Sequence, residues 1–126
     1  MSEPREPRKA IAPDKWGKFL KEFSDRNKNR RARFDVFFSS GETLEEAQEG
    51  HLESVSLNKN GNKTQVIVTR IDTSEDNAEK MTDAIENVRG ITVQYETDGS
   101  ENALEITDVK NTLLSLRLES KLDGNS

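Results

Sequence analysis

Hydrophobic residues recur along this chain with two different periods, and the first of these periods is helical. Within Ala12–Ser24, four large apolar residues lie three or four positions apart and share one stripe of a helix. These residues are Trp16, Phe19, Leu20 and Phe23. Pro13 and Asp14 suit the first turn, where a missing N–H costs nothing and a carboxylate meets the positive end of the helix dipole. The pattern predicts an amphipathic helix that ends within Ser24–Asn29 and packs on a larger apolar surface.

The second period is two, which is the period of half-buried β-strands. In residues 30–38 alternate side chains are expected to face the core, and the intervening ones to face solvent. The inward set is Ala32, Phe34, Val36 and Phe38, and the outward set is Arg31, Arg33, Asp35 and Phe37. Further along, Lys59–Asn62 contains Asn-Gly, which favours a tight hairpin. The following run, Thr64–Ile71, is rich in β-branched residues and predicts a central strand.

The last third of the chain predicts three more strands with short connections. Alternation in Ile91–Thr97, Ala103–Thr107 and Thr112–Leu118 indicates half-buried strands. In the last of them Leu114, Leu116 and Leu118 are expected to point one way, and Leu113 and Arg117 the other. Asp98-Gly99 and residues 109–111 are expected to form the turns.

Two segments fit more than one structure. Residues 42–50 have capping-box spacing at their start, so that a short helical turn and an irregular loop both remain open. Helical spacing of apolar residues indicates a second helix at 74–88, with Gly90 in the place of a C-cap. The alternative for that region is a loop followed by a strand at Lys80–Ile85.

These elements predict an α+β fold that is mainly β. The N-terminal helix would pack on a meandering antiparallel sheet, or on a small partly open barrel, of six to seven strands. A bulge is expected in His51–Asn58, because the spacing of its apolar residues is irregular. Residues 1–10 and 121–126 have few apolar side chains and are expected to be flexible tails of a single domain at 11–120.

Charge is distributed unevenly along the 126 residues. The formal net charge is −5, but residues 1–33 carry 11 Lys/Arg against 5 Asp/Glu, a net +6, and the remainder carries a net −11. There is no cysteine, which excludes disulfides and thiolate chemistry. The first residues contain no apolar leader, and no run reaches 18 apolar residues, so the sequence predicts a soluble cytoplasmic protein with no membrane segment.

Catalytic chemistry has few candidates. His51 is the single histidine, so a nucleophile–histidine arrangement would depend on it alone. The acidic residues, such as Asp72, Glu75 and Asp76, lie among polar neighbours that would not raise a carboxyl pKa. Their spacing is not that of a calcium loop, and no glycine-rich phosphate loop is present. The sequence therefore predicts a non-enzymatic protein without a catalytic residue, cofactor or metal.

The feature that indicates a partner is a basic segment at 26–33. We predict a binding surface made of Arg26, Lys28, Arg30, Arg31, Arg33 and Phe37. Arginine next to an exposed aromatic ring is enriched in protein interfaces, which favours a non-enzymatic interaction domain with an acidic protein partner. The alternative is anion or nucleic-acid binding through the same arginines. It is disfavoured because the acidic body would repel a polyanion and single-strand binders use several exposed rings. The oligomeric state stays open.

Several segments resemble an uncharacterised bacterial family of small proteins, a domain of unknown function. They are Ile11–Trp16 with Phe19, Phe23-Ser24 and Asn27, Gly61, Val66–Val68, Ile85, Gly99, Leu104–Ile106 and Thr112–Leu116. The resemblance covers roughly residues 11–118 and implies one domain without an activity that can be named. Members often carry His at the position of Asp83 and Pro near Val88, and both features suit a strand followed by a turn.

Overall fold

Strands make up most of the chain in the computed structural model, which describes residues 8–45, 50–72 and 79–119. One α-helix, α1 (Trp16–Asn27), follows a short 3-10 turn at Pro13–Lys15. The strands are β1 (Arg8–Ala10), β2 (Arg31–Phe37), β3 (Thr43–Glu45), β4 (Gly50–Asn60), β5 (Lys63–Asp72), β6 (Glu79–Ile85), β7 (Val88–Tyr95), β8 (Glu101–Asp108) and β9 (Leu113–Leu118).

The nine strands of the described residues belong to one open antiparallel sheet. Its order is β1-β7-β8-β9-β2-β4-β5-β6, and β3 pairs with β2. On a flat sheet, β6 and β7 would lie six strand spacings apart, about 29 Å at 4.8 Å each. Yet Ile85 and Val88 are joined by only two residues, and three peptide steps span at most about 11 Å. The sheet must therefore curl until β6 approaches β7.

The helix packs on the apolar face of this sheet, as the sequence predicts. Trp16, Leu20 and Phe23 are buried, and Phe19 is half-buried against the same core. The indole N–H of Trp16 donates to the carbonyl of Ile11 at 2.8 Å, which joins the start of α1 to the residue that follows β1. The sheet side of the core includes Val55, Val66, Val68, Ile91, Val93, Leu104, Ile106 and Leu116.

α1 covers the edge of β4 where that strand separates from β2. The two strands share only the pairs Arg31↔His51 and Ala32↔Gly50. Beyond them, the Val55 N–H donates to Ser24 Oγ at 2.7 Å, so a helix side chain takes the place of a neighbouring strand. The predicted bulge in β4 is confirmed by the register shift between Leu52 and Ser54.

Most of the predicted strands are confirmed. The hairpin between β4 and β5 turns at Gly61, whose φ of 65° lies in the left-handed region that glycine favours. Gly99 has φ of 90° in the predicted turn between β7 and β8. On β9, Leu116 and Leu118 are buried and Arg117 is exposed, as the alternation indicates.

The second helix considered for 74–88 is wrong over the described residues, and the alternative of a strand at Lys80–Ile85 is confirmed. Residues 79–85 form β6, paired with β5 along its whole length, and Val88 begins β7. Gly90 lies inside β7 rather than at a C-cap, and residues 74–78 lie outside the described part of the chain. Hydrogen bonds to β5 stabilise β6 as a strand, which local helical spacing could not reveal.

Three smaller expectations also need correction. The described sheet has nine strands rather than six to seven, because Arg8–Ala10 pairs with β7 where a tail is predicted and Thr43–Glu45 pairs with β2. The helical turn considered for 42–50 is therefore wrong at 43–45, and residues 46–49 lie outside the described part. Phe38 follows the end of β2 and is 41% exposed instead of facing the core. Residues 121–126, which are predicted to be a tail, lie outside the described part of the chain.

Candidate functional site

The basic segment runs from the last turn of α1 into β2, and the structure divides it. Arg26 lies on α1, Lys28 follows the helix, and Arg30 precedes β2. The chain turns at Asn29, whose φ of 73° places it in the left-handed region that asparagine tolerates. The arginines before and after this turn consequently point to different surroundings.

Arg26 is held by a buried acid at the start of β8. Its Nε lies 3.0 Å from Glu101 Oε1, and its Nη2 lies 2.7 Å from Oε2. Asn27 Nδ2 donates to the same Oε1 at 2.9 Å. The Arg26 guanidinium also lies 5.8 Å from the centre of the Phe19 ring. This bidentate pair is the strong form of an arginine–carboxylate contact, so Arg26 joins α1 to β8.

Arg30 belongs to the same arrangement, which we call the Glu101 network (Arg26, Asn27, Arg30, Glu101). Its Nη1 donates to Asn27 Oδ1 at 2.9 Å and to the Glu101 carbonyl at 2.6 Å. Its Nη2 donates to the carbonyl of Glu119, beyond the end of β9. The Arg30 guanidinium therefore contacts α1, β8 and the chain after β9, which indicates a structural role for Arg30.

The network changes the pKa of both arginines in opposite directions. The hydrogen bonds that Arg26 donates to the Glu101 carboxylate raise the pKa of Arg26, with partial burial opposing that shift. Burial lowers the pKa of Arg30, although nearby carboxylates such as Glu96 oppose that shift. Because a guanidinium titrates far above neutrality, both side chains stay cationic at pH 7.

Arg31 and Arg33 come after the turn at Asn29, and both lie on one face of β2. Arg117 lies on β9 directly opposite Arg33 in the strand register. Together with Leu118 and Glu119 these arginines line a concavity of about 240 Å³. We call this surface the arginine concavity. It holds three positive side chains and one negative one, so its charge is positive.

Like charges that face each other directly across two strands are destabilising. Arg33 and Arg117 form such a pair at the floor of the concavity. Part of this cost is offset by Asp35, whose Oδ1 lies 3.5 Å from Arg33 Nε and whose side chain is buried. The arrangement suits an anionic group that contacts the guanidinium groups from solvent.

The two remaining predicted site residues lie apart from the concavity. Lys28 is exposed beside a crevice between α1 and β4. Phe37 is 37% exposed, as predicted, but Asp35 separates it from Arg33 along β2. Its neighbours across the strands are Thr43 and Leu113. The structure therefore brings together Arg31 and Arg33 and leaves Lys28 and Phe37 on other surfaces.

Sequence reasoning missed Glu101 and Arg117. Alternation correctly places Arg117 on the outward face of β9, but only the pairing of β9 with β2 brings it to Arg33. Glu101 resembles any other acid in an acidic sequence until α1 places Arg26 against it. The missing information is which strands and helices are neighbours.

Arg70 is a buried charge that the sequence could have revealed. It follows Val66 and Val68 on the same face of β5, and its side chain is fully buried. Its guanidinium lies 5.7 Å from the centre of the Phe34 ring and 3.3 Å from Asp83 Oδ2 on β6. This ion pair joins β6 to the core, which indicates a structural role for Arg70.

The catalytic candidates do not converge in the described residues. His51 lies at the start of β4, partly exposed, opposite Arg31. Asp72 ends β5, whereas Glu75 and Asp76 lie outside the described part of the chain. Within residues 8–45, 50–72 and 79–119, no group of three or more His, Asp or Glu side chains is arranged to hold a metal ion.

No helix in the described part of the chain has the length and the apolar character needed to cross a membrane. Comparisons with known proteins give no relative: no family model, no curated protein and no solved structure matches the chain. The resemblance to an uncharacterised bacterial family therefore stays a prediction.

Proposed function

We propose that this protein is a non-enzymatic interaction domain whose arginine concavity binds a carboxylate-rich segment of an acidic partner protein. The observation that carries the proposal is the convergence of Arg31, Arg33 and Arg117 from two paired strands. Each guanidinium can form two parallel hydrogen bonds with one carboxylate, so three of them suit consecutive acidic side chains.

The paired strands hold the backbone of this surface in place before any partner binds. Arg33 and Arg117 are fixed by the register of β2 and β9, which pair over six residue positions from Ala32↔Leu118 to Phe37↔Leu113. A bound carboxylate would relieve the repulsion between these two arginines, which adds to the attraction. Arg26 and Arg30 contribute indirectly, because they hold α1 and the strand ends in place.

An acidic protein segment fits this surface better than a nucleic acid. Among the described residues no aromatic side chain lines the concavity, whereas single-stranded nucleic acids usually stack on aromatic rings beside the basic groups. Phe37 belongs to another surface. The net charge of −11 on residues 34–126 would also repel an extended polyanion, while a short acidic segment meets only the local positive charge.

A labelled hexaglutamate peptide provides the direct test by fluorescence anisotropy, with hexalysine and oligothymidylate as comparison probes. The test variant is Arg33→Glu with Arg117→Glu, and the matched control is Lys18→Glu with Lys59→Glu, two exposed lysines on other elements. Arg30 is left intact because of its structural contacts. We expect hexaglutamate to bind the wild-type protein and the control, and to lose at least about tenfold in affinity in the test variant.

Equal binding by the test variant, or no binding to the wild type at low salt, would refute the proposal. Tighter binding of oligothymidylate with a steep negative salt dependence would favour the nucleic-acid alternative instead. Near-ultraviolet circular dichroism of Trp16 would show whether the variants keep the packing of α1.

A further inference from the structure

The arginine concavity has two ends of unlike charge. Its charged lining residues occupy facing positions on two antiparallel strands, β2 and β9, and on the residue that follows β9. At one end Arg33 lies opposite Arg117, so two positive side chains are adjacent. At the other end Arg31 lies opposite Glu119, because the strand register continues by one residue past β9. The first end therefore carries two positive charges, whereas the charges of the second end cancel.

Glu119 is held in this position although it lies beyond the last residue of β9. Its backbone N–H donates to the Arg31 carbonyl at 2.9 Å, and its own carbonyl accepts from the Arg30 guanidinium. The preceding residue, Leu118, is buried, and side chains of an extended chain alternate between the two faces of a sheet. The Glu119 side chain consequently lies on the outer face with Arg31, where it is exposed and lines the concavity.

The two ends are separated by the spacing of alternate residues in a strand. Two positions along an antiparallel strand correspond to about 6.8 Å, and facing Cα atoms in a hydrogen-bonded pair lie about 5.5 Å apart. An extended segment that lies along β2 and β9 presents every second side chain to the sheet, at the same interval of about 6.8 Å. One of its side chains can therefore contact Arg33 and Arg117 while the next facing side chain contacts Arg31 and Glu119.

The two ends are complementary to different side chains. Between Arg33 and Arg117 a carboxylate accepts hydrogen bonds from two guanidinium groups and removes their mutual repulsion. Beside Arg31 and Glu119 a second carboxylate would have one attractive and one repulsive neighbour. A carboxamide has a carbonyl oxygen that can accept from Arg31 and an NH₂ group that can donate to Glu119. The second end thus favours Gln or Asn over Glu or Asp.

We propose that Glu119 determines which acidic segments the concavity binds, an inference that rests on the function proposed above. The preferred segment is extended and places Glu or Asp over the Arg33–Arg117 pair. Two positions away it places Gln or Asn over the Arg31–Glu119 pair. An unbroken run of acids brings a carboxylate against Glu119 and loses affinity there. Specificity then comes from a repulsive contact as well as from attractive ones.

Three labelled hexapeptides with serine as the neutral spacer provide the test by fluorescence anisotropy. The first carries two Glu residues two positions apart. The other two replace either the first or the second Glu by Gln, so that both directions of the segment along the strands are covered. We expect the better of these two mixed peptides to bind the wild-type protein at least as tightly as the peptide with two Glu residues.

Glu119→Gln removes the repulsive charge and keeps the backbone contacts of this residue. The peptide with two Glu residues should gain at least about threefold in affinity for this variant, whereas the mixed peptides should gain less than about twofold. Glu42→Gln is the matched control, because Glu42 is exposed near the opposite end of β2 and the change alters the net charge equally. The control should bind all three peptides with wild-type affinity.

Two outcomes would overturn the proposal and leave the proposed function intact. One is a gain of equal size for the three peptides, or of equal size in Glu119→Gln and Glu42→Gln, which would reflect net charge instead of contact. The other is a wild-type protein that binds the peptide with two Glu residues more tightly than both mixed peptides. The proposed function still holds in these cases if hexaglutamate binds the wild type and is lost in the variant with Arg33→Glu and Arg117→Glu. Failure of every acidic peptide to bind the wild type would overturn both.

Discussion

Arg30 and Arg31 are neighbours in the sequence, yet they belong to two regions with opposite character. Arg30 lies in the Glu101 network, where its guanidinium contacts the end of α1, the start of β8 and the chain after β9. Arg31 lies in the arginine concavity with Arg33 and Arg117, and these three residues line one depression.

The two regions differ in the side chains that the arginines face, and not in the arginines themselves. In the Glu101 network one buried carboxylate accepts three hydrogen bonds, so positive charge is used to join elements. In the concavity Arg33 and Arg117 face each other across paired strands, and Asp35 offsets only part of their positive charge. A basic segment can therefore contribute to stability with one half and to binding with the other.

The largest expected effect is on stability, and it comes from removing Glu101, the acid that accepts from Arg26 and Asn27. Glu101→Ala removes both acceptor oxygens of the Arg26 guanidinium and one of the two acceptors of the buried Asn27 amide, which keeps its bond to the Phe23 carbonyl. We expect the free energy of unfolding to fall by about 2–3 kcal/mol, in the lower range for a broken buried ion pair because Arg26 is half-exposed. Urea denaturation monitored by Trp16 fluorescence measures this change.

Glu119→Ala is the matched control for that experiment. Glu119 is exposed and contributes to Arg30 through its backbone carbonyl, which the substitution keeps. The control should change stability by less than about 0.5 kcal/mol. Similar losses in Glu101→Ala and in the control would show that the network does not hold the fold.

The next largest effect on stability is expected at Arg30, and it can be compared directly with the effect at its sequence neighbour Arg31. Arg30→Ala removes hydrogen bonds to Asn27 and to two backbone carbonyls, and we expect a loss of about 1–2 kcal/mol in unfolding free energy. Arg31→Ala should cost less than about 0.5 kcal/mol, because Arg31 is exposed and the contacts of exposed charges contribute little. The same urea titration measures both, and a larger loss in Arg31→Ala would reverse the assignment of the two regions.

Local periodicity was sufficient for the elements that depend on one segment alone. The stripe that contains Trp16 and Phe23 predicted α1 because a helix repeats every 3.6 residues whatever it packs against. Gly61 and Gly99 predicted two turns because few other residues tolerate their backbone conformation. Burial on one face followed from alternation on β5 and β9.

Local periodicity failed where pairing between distant strands decides the structure. Met81 and Ile85 are four residues apart, a spacing that fits a helix face and also one face of a strand. Pairing with β5 selects the strand, because Arg70↔Met81 and Val66↔Ile85 then align on the core side. Arg8–Ala10 is a strand only because β7 presents an edge to it.

The candidate site was predicted in part for the same reason. Clustering in sequence identified Arg31 and Arg33, which share one face of β2. It could not separate them from Arg26 and Arg30, because Glu101 lies about 70 positions away in the chain. It also could not add Arg117, which joins the site through the pairing of β9 with β2.

A smaller effect is expected when the repulsion inside the concavity is removed. Arg117→Glu places opposite charges across β2 and β9, and we expect stability to rise by about 0.2–0.5 kcal/mol in an exposed pair. Hexaglutamate affinity should fall in the same variant, since the anion loses one of its contacts. Arg117→Gln should give an intermediate result for both measurements.

This opposite change in stability and binding distinguishes a binding surface from a structural one. Substitution in the Glu101 network should lower stability, whereas Arg117→Glu in the concavity should lower binding without lowering stability. A clear loss of stability in Arg117→Glu would contradict this distinction. It would mean that Arg117 makes a favourable contact that the strand register does not explain.

The smallest effect is the titration of the single tyrosine, Tyr95, at the edge of the Glu101 network. Burial raises the pKa of Tyr95, the negative charge of Glu101 raises it further, and Arg26 lowers it. We expect the ultraviolet absorbance of the phenolate to appear with a midpoint above the usual value of about 10. Glu101→Gln should lower that midpoint, because the carboxylate is removed while Arg26 remains.

The direction in which stability changes with pH follows from the raised pKa of Tyr95. A pKa that is higher in the folded state means that folding favours the neutral phenol, so this contribution is fully present below the usual pKa of tyrosine. It is lost as pH rises through the folded value, and stability should decline there. Glu119→Gln is the control and should leave the Tyr95 midpoint in place. A wild-type midpoint at or below the usual value would show that burial and Glu101 do not act on Tyr95 as described.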